Sequence, residues 1–136
     1  MTVKLFFALM VLHFFADFAL QWFFLSDLKQ KDWWGKKCHE IVFGTFESQF
    51  AKYGKDWIAG LSVHALEWSI VTFAPLVWLT DSDWWNVGIV GINALVHGVI
   101  DHYKCNHYVF NLNADQALHV VQIAATLGLW RWLYVA

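Results

Sequence analysis

At 136 residues the sequence is long enough for one domain, and 59% apolar, 19% aromatic and 15% charged residues make it too apolar for an ordinary soluble surface. A net charge near −2 with no basic stripe argues against a nucleic-acid-binding module, and two cysteines, Cys38 and Cys105, are too few for a disulfide scaffold. What is left is an all-α chain embedded in a lipid bilayer.

Four apolar segments, about 3–25, 57–80, 84–103 and 115–135, are each long enough to cross a hydrocarbon core of about 30 Å at about 1.5 Å per residue. Lys4 opens the first, but Asp17 stands where a cleavage site needs small neutral residues, so the run reads as a retained span. Within it His13, Asp17 and Gln21 recur every four residues. Successive helical residues turn by about 100°, so these three form one narrow polar stripe on a helix otherwise rich in Phe, Leu and Ala.

The stretch 26–56 carries Lys29, Lys31, Lys36, Lys37, Lys52 and Lys55. Val42, Phe43, Phe46, Phe50 and Tyr53 recur there at steps of three or four, which predicts a short amphipathic helix on the membrane surface, docked by Trp33 and Trp34. In the second segment His64 is followed by Glu67 a turn deeper, and Pro75, by freeing the Val71 carbonyl, predicts a kink. Only Thr80-Asp81-Ser82-Asp83 separates the second and third segments, so they form an antiparallel hairpin. The third segment carries Asn93, His97 and Asp101 at steps of four, with Lys104 one turn on. Asn113 and Gln116, three apart, predict a capping box at the start of the fourth segment, which opens with Asp115 and continues with His119 and Gln122.

Trp22, Trp57, Trp78, Trp84, Trp85, Trp130 and Trp132 lie near segment ends, where indole prefers the lipid interface; Trp68 is the exception within a span. The lysines of the first loop together with Lys104 outnumber Lys4 and Arg131 on the opposite side. That asymmetry places loops 26–56 and 104–114 in the cytoplasm and both termini outside, in the cytoplasmic membrane.

This topology brings His13, Asp17, His64, His97, Asp101, Asp115 and His119 to one level in the cytoplasmic half of a four-helix bundle. A carboxylate at mid-membrane costs about 2.5–3.5 kcal/mol on insertion scales, so several of them need compensation. Shared metal ions supply it; a hydrogen-bond network and a proton relay are the alternatives. Seven candidate ligands exceed what one tetrahedral ion takes, so either two ions are held or the surplus residues act around one. Asp101 or Glu67 is then the candidate base, Lys104 the partner of an anionic oxygen, and Gln21, Asn93, Gln116 and Gln122 the supporting polar shell. Nitrogen and oxygen ligands without thiolate suit zinc first, with manganese and iron also compatible. His102, Cys105 and His107 lack the paired spacing of a zinc site and read as a solvated loop.

Taken together, His13-Phe14-Phe15-Ala16-Asp17-Phe18-Ala19-Leu20-Gln21, His64, His97-Gly98-Val99-Ile100-Asp101 with Lys104, and Asp115-Gln116-Ala117-Leu118-His119 resemble the signature of a family of small bacterial and phage-encoded integral membrane proteins of unknown function. The pattern is also similar to that of membrane-bound metal-dependent hydrolases. Where that family often carries a second histidine, one turn after the position of His64, this chain has Trp68.

Three functional readings follow. The first is a metal-dependent hydrolase whose site opens at the cytoplasmic leaflet, acting on a lipid or lipid-linked phosphoester. The second is a non-catalytic, metal-stapled protein that engages a membrane partner or a second copy of itself, as in phage modulation of a host envelope. The third is a proton or ion transporter, against which the wholly apolar stretch from Phe6 to Leu12 counts, since permeation needs polar groups through both leaflets.

Overall fold

The computed structural model describes residues 2–21, 23–34 and 53–135. Every element among them is helical. Helix α1 spans Thr2–Phe14 and continues without a break as a wider π-helical stretch, Phe15–Leu20. A short helix α2, Phe23–Leu28, follows, then the long helices α3 (Trp57–Trp78), α4 (Asp83–His107) and α5 (Leu112–Tyr134). The predicted surface helix between Val42 and Phe50 lies outside the described residues.

The long helices pack as a ring, α1 against α3, α3 against α4, α4 against α5 and α5 back against α1. One end of the bundle is filled by Leu5, Leu9, Phe73, Leu76, Ile89, Ile123 and Leu127. The other end is filled by His13, His64, His97, Asp101, Asp115 and His119, every one of them buried. Trp68, fully buried, forms the floor between the two halves.

The outward faces are apolar. Val3, Phe7, Val11, Phe14 and Phe18 are exposed on the first helix, Val87, Ile92, Leu95 and Val99 on α4, and Val121, Leu129 and Leu133 on α5. Two helical runs, Thr2–Leu20 and Trp57–Trp78, are apolar and long enough to cross a membrane. The inward polar residues of α4 and α5 lower the average of those helices, although they are 25 and 23 residues long.

Three local features depart from the expectations. The first apolar segment does not run on to residue 25: the backbone breaks at Gln21 (φ −75°, ψ 72°), and α2 turns Lys29 back into the bundle. The fourth helix is capped by Asn111, whose side chain accepts from the Ala114 amide at 2.9 Å, two residues before the expected Asn113. Asn111 is preferred because it keeps extended backbone (φ −81°, ψ 171°) while Asn113 already lies in the helix. The third helix continues to His107, so His102 and Cys105 stand on a helical turn and not in a loop.

Pro75 lies in the last turn of α3, which continues to Trp78. The α3–α4 link is tied down by Thr80, whose hydroxyl donates to the Leu76 carbonyl (2.7 Å) and accepts from Trp130 Nε1 (2.8 Å).

Candidate metal centre

Helical spacing sets up the donors. His13 with Asp17, His97 with Asp101 and His119 with Asp115 are each four residues apart, and their nitrogen–oxygen separations are 3.7, 3.8 and 3.5 Å. The ring of helices then brings the pairs together. His97 Nε2 lies 3.1 Å from His64 Nε2, and His97 Nδ1 lies 3.2 Å from His119 Nδ1. His64 Nε2 is 3.3 Å from Asp101 Oδ2 and 3.8 Å from Asp17 Oδ1. His119 Nε2 is 3.8 Å from Asp101 Oδ1.

Two overlapping donor sets result. Asp17, His64 and His97 form one, and His97, Asp101 and His119 form the other. The two oxygens of Asp101 face different neighbours, Oδ2 toward His64 and Oδ1 toward His119. Neighbouring donors around a tetrahedral ion at about 2.0–2.2 Å are about 3.3–3.6 Å apart. A charge-assisted hydrogen bond is shorter, about 2.7–2.9 Å. The contacts of His119 Nε2 with Asp115 Oδ1 and Asp101 Oδ1 are too long for the second and close to the first. Both His119 Nε2 and Asp115 Oδ1 are buried and have no hydrogen-bond partner among the described residues.

His13, expected among the ligands, has both nitrogens engaged elsewhere. Trp68 Nε1 donates to His13 Nδ1 at 2.9 Å. Indole is a donor only, so Nδ1 carries the lone pair, and the proton on Nε2 goes to Gln116 Oε1 at 3.0 Å. The Gln116 amide nitrogen in turn donates to Asp17 Oδ2 (3.1 Å) and Asp115 Oδ2 (3.2 Å). His13 thereby orients Gln116, which holds two carboxylates. Trp68 also stacks flat on His97, with ring centres 4.1 Å apart and planes inclined by 13°.

Two lysines close the mouth. Lys104 Nζ donates to Asp115 Oδ2 at 2.5 Å. Lys29 Nζ donates to Asp101 Oδ2 at 2.5 Å, and with its amide turned to satisfy both neighbours, Gln21 donates to the Asp17 carbonyl (3.0 Å) and accepts from Lys29. The sequence assigns Lys29 to the lysines of the cytoplasmic loop 26–56; the structure buries it. Nothing local could have revealed this, because its partner lies 72 residues away. Asn106 secures the segment, donating to the Lys29 carbonyl (3.2 Å) and accepting from the Lys31 amide (2.6 Å). Between the lysines is a cavity of about 30 Å³ lined by Asp17, Phe18, Gln21, Lys29, Asp101, Lys104, Leu112 and Gln116, room for about one water.

The remaining expected residues lie apart from the donors. Glu67 is half-buried on α3, and no hydrogen bond or ion pair among the described residues joins it to them. Asn93 and Gln122 clamp α4 to α5: Gln122 Nε2 donates to Asn93 Oδ1 (2.9 Å), which also accepts from Thr126 (3.0 Å). His102 and His107 face each other at 3.1 Å on the outer surface, with His102 stacked on Trp57. Burial pushes the neighbouring Cys105 thiol up, so it is protonated at neutral pH.

Comparison with protein-family models, with curated proteins and with solved structures finds no match. The geometry of the chain itself therefore carries the functional reading.

Proposed function

We propose that this chain is an integral membrane protein of four spans that holds a divalent metal ion and uses it for hydrolysis at the cytoplasmic leaflet. The observation that carries the reading is the unpartnered pair His119 Nε2 and Asp115 Oδ1, buried and facing each other across 3.5 Å with Asp101 alongside. An apolar exterior around a polar interior supports the membrane part, since it is the reverse of what water requires.

His64, His97, His119, Asp17, Asp101 and Asp115 are the ligand set, shared between one or two ions, and zinc suits it first. Such an ion supplies a water made acidic enough to act as nucleophile near neutral pH. The residues do the rest. His13 and Gln116 fix the carboxylates, and Trp68 fixes His97. The apolar packing beyond Trp68 argues against a through-going path for ions.

The test is elemental analysis of detergent-purified protein. The wild type should carry stoichiometric zinc, manganese or iron, lost in His119→Ala and Asp101→Ala and kept in Glu67→Gln. Chelation should abolish hydrolysis of chromogenic esters. Wild-type protein that holds no ion and takes up none would sink the proposal. It would favour a second reading, supported by the Lys29–Asp101 and Lys104–Asp115 pairs, in which the cluster is a metal-free polar staple of the bundle.

A further inference from the structure

The mouth of the centre contains cationic as well as anionic groups, and the ligand set does not explain the cationic ones. Asp101 and Asp115 each hold an ammonium group, Lys29 and Lys104, and a third carboxylate, Asp17, lines the same cavity as both lysines. With neutral imidazoles the cluster carries one net negative charge. Each lysine sits on one carboxylate oxygen, where it neutralises a group that a metal ion would otherwise neutralise.

A divalent cation seated on Asp101 and Asp115 changes both conditions. It reverses the sign of the cluster's charge, and two ions make it more positive still. It also repels both ammoniums, and on Asp101 it competes with Lys29 for Oδ2, the oxygen that faces His64. Both lysines line the 30 Å³ cavity, together with the amides of Gln21 and Gln116, so the displaced ammoniums still face a space that takes one oxygen the size of a water.

From this we propose that Lys29 and Lys104 are place-holders that become an anion subsite when metal binds, so that the centre takes a divalent cation and a phosphate-ester oxygen as a linked pair. The inference rests on the metal reading above and adds its substrate class. It stands on the unpartnered buried donors of His119 and Asp115 together with the lysine-lined cavity, not on the acidic cluster alone. A phosphate ester suits the site because it offers one oxygen to the cation and others to two ammoniums at once.

The test measures Mn²⁺ affinity by electron paramagnetic resonance of free Mn²⁺, with and without methyl phosphate, on the full chain in detergent. Methyl phosphate should tighten Mn²⁺ binding about tenfold, and Mn²⁺ should tighten methyl phosphate by the same factor, as linkage requires. Lys29→Met and Lys104→Met should bind Mn²⁺ more tightly than wild type when no phosphate is present, because a repelling positive charge beside the ligands is gone. Both should lose the enhancement by phosphate. A merely structural lysine would weaken cation binding instead, and Lys104, the more exposed of the two, serves if Lys29→Met does not fold. A parallel arm in nanodiscs compares phosphatidic acid with phosphatidylcholine. Enhancement by phosphatidic acid alone also supports the subsite and assigns its source to a lipid headgroup. If Mn²⁺ binds and neither phosphate source changes its affinity, the inference is overturned while the metal reading survives. If neither Mn²⁺ nor Zn²⁺ binds, both are lost.

Discussion

Trp68 is the side chain on which the most geometry depends. Its ring lies flat on His97, and its single N–H fixes the tautomer of His13, which fixes Gln116, which holds Asp17 and Asp115. Trp68→Phe keeps an aromatic ring at the site and removes the donor along with part of the buried indole's volume. The expected outcome is a 10–100-fold loss of divalent-metal affinity, the usual effect of losing a group that orients ligands, with helix content unchanged. Metal titration alongside circular dichroism checks it, and wild-type affinity would show that the tautomer does not matter. The His–Asp pairs on α4 and α5 were legible in the sequence because a four-residue step is a local property of a helix. Trp68 was legible only as an aromatic residue out of place, and Lys29 not at all, because nothing near a lysine in the chain announces a distant carboxylate.

Among the elements, α2 does most to shape the mouth despite its six residues. It packs so closely on the start of α3 that a Cβ added at Gly60 would lie 2.6 Å from the Leu28 carbonyl oxygen. Lys29 is the next residue, so its reach to Asp101 depends on that contact. Gly60→Ala should lower stability by about 1–3 kcal/mol through overpacking. It should also free Asp101 from Lys29 and so raise phosphate-free Mn²⁺ affinity, as Lys29→Met is expected to do. At Gly91 a Cβ meets nothing within 4 Å. Gly91→Ala should therefore stabilise α4 by up to about 1 kcal/mol, the ordinary helical gain. Thermal melts of the two variants in one detergent give opposite signs if α2 is seated as described. The π-helical stretch and the break at Gln21 were not legible, because the four-residue polar stripe runs on to Gln21 and apolar residues continue beyond it to Leu25.

For the whole molecule the question is which solvent the outer surface meets. Helix α4 is the sharpest place to ask it, since its average composition is the less apolar but its outward residues, Ile92 and Leu95 among them, are not polar. Ile92→Lys leaves the metal centre untouched. In a four-span protein it puts a charge into hydrocarbon at about 2.5–3.5 kcal/mol on insertion scales, and membrane-integrated yield after alkaline extraction should fall several-fold. In a protein with only two spans, where α4 meets water, the same change should be neutral.

The sequence by itself determined what depends on neighbours within two turns: helices of membrane length, their polar stripes, and His and Asp paired at a spacing that puts them on one face. Only the tertiary structure decided which of those side chains meet. Closing four helices into a ring turned His13 toward Trp68, left Glu67 apart from the donors and placed Lys29 and Lys104 on the carboxylates. The physical reason is that contacts between helices, here 11 to 72 residues apart in the chain, follow from packing and from where the backbone breaks, and neither leaves a periodic trace in the order of residues.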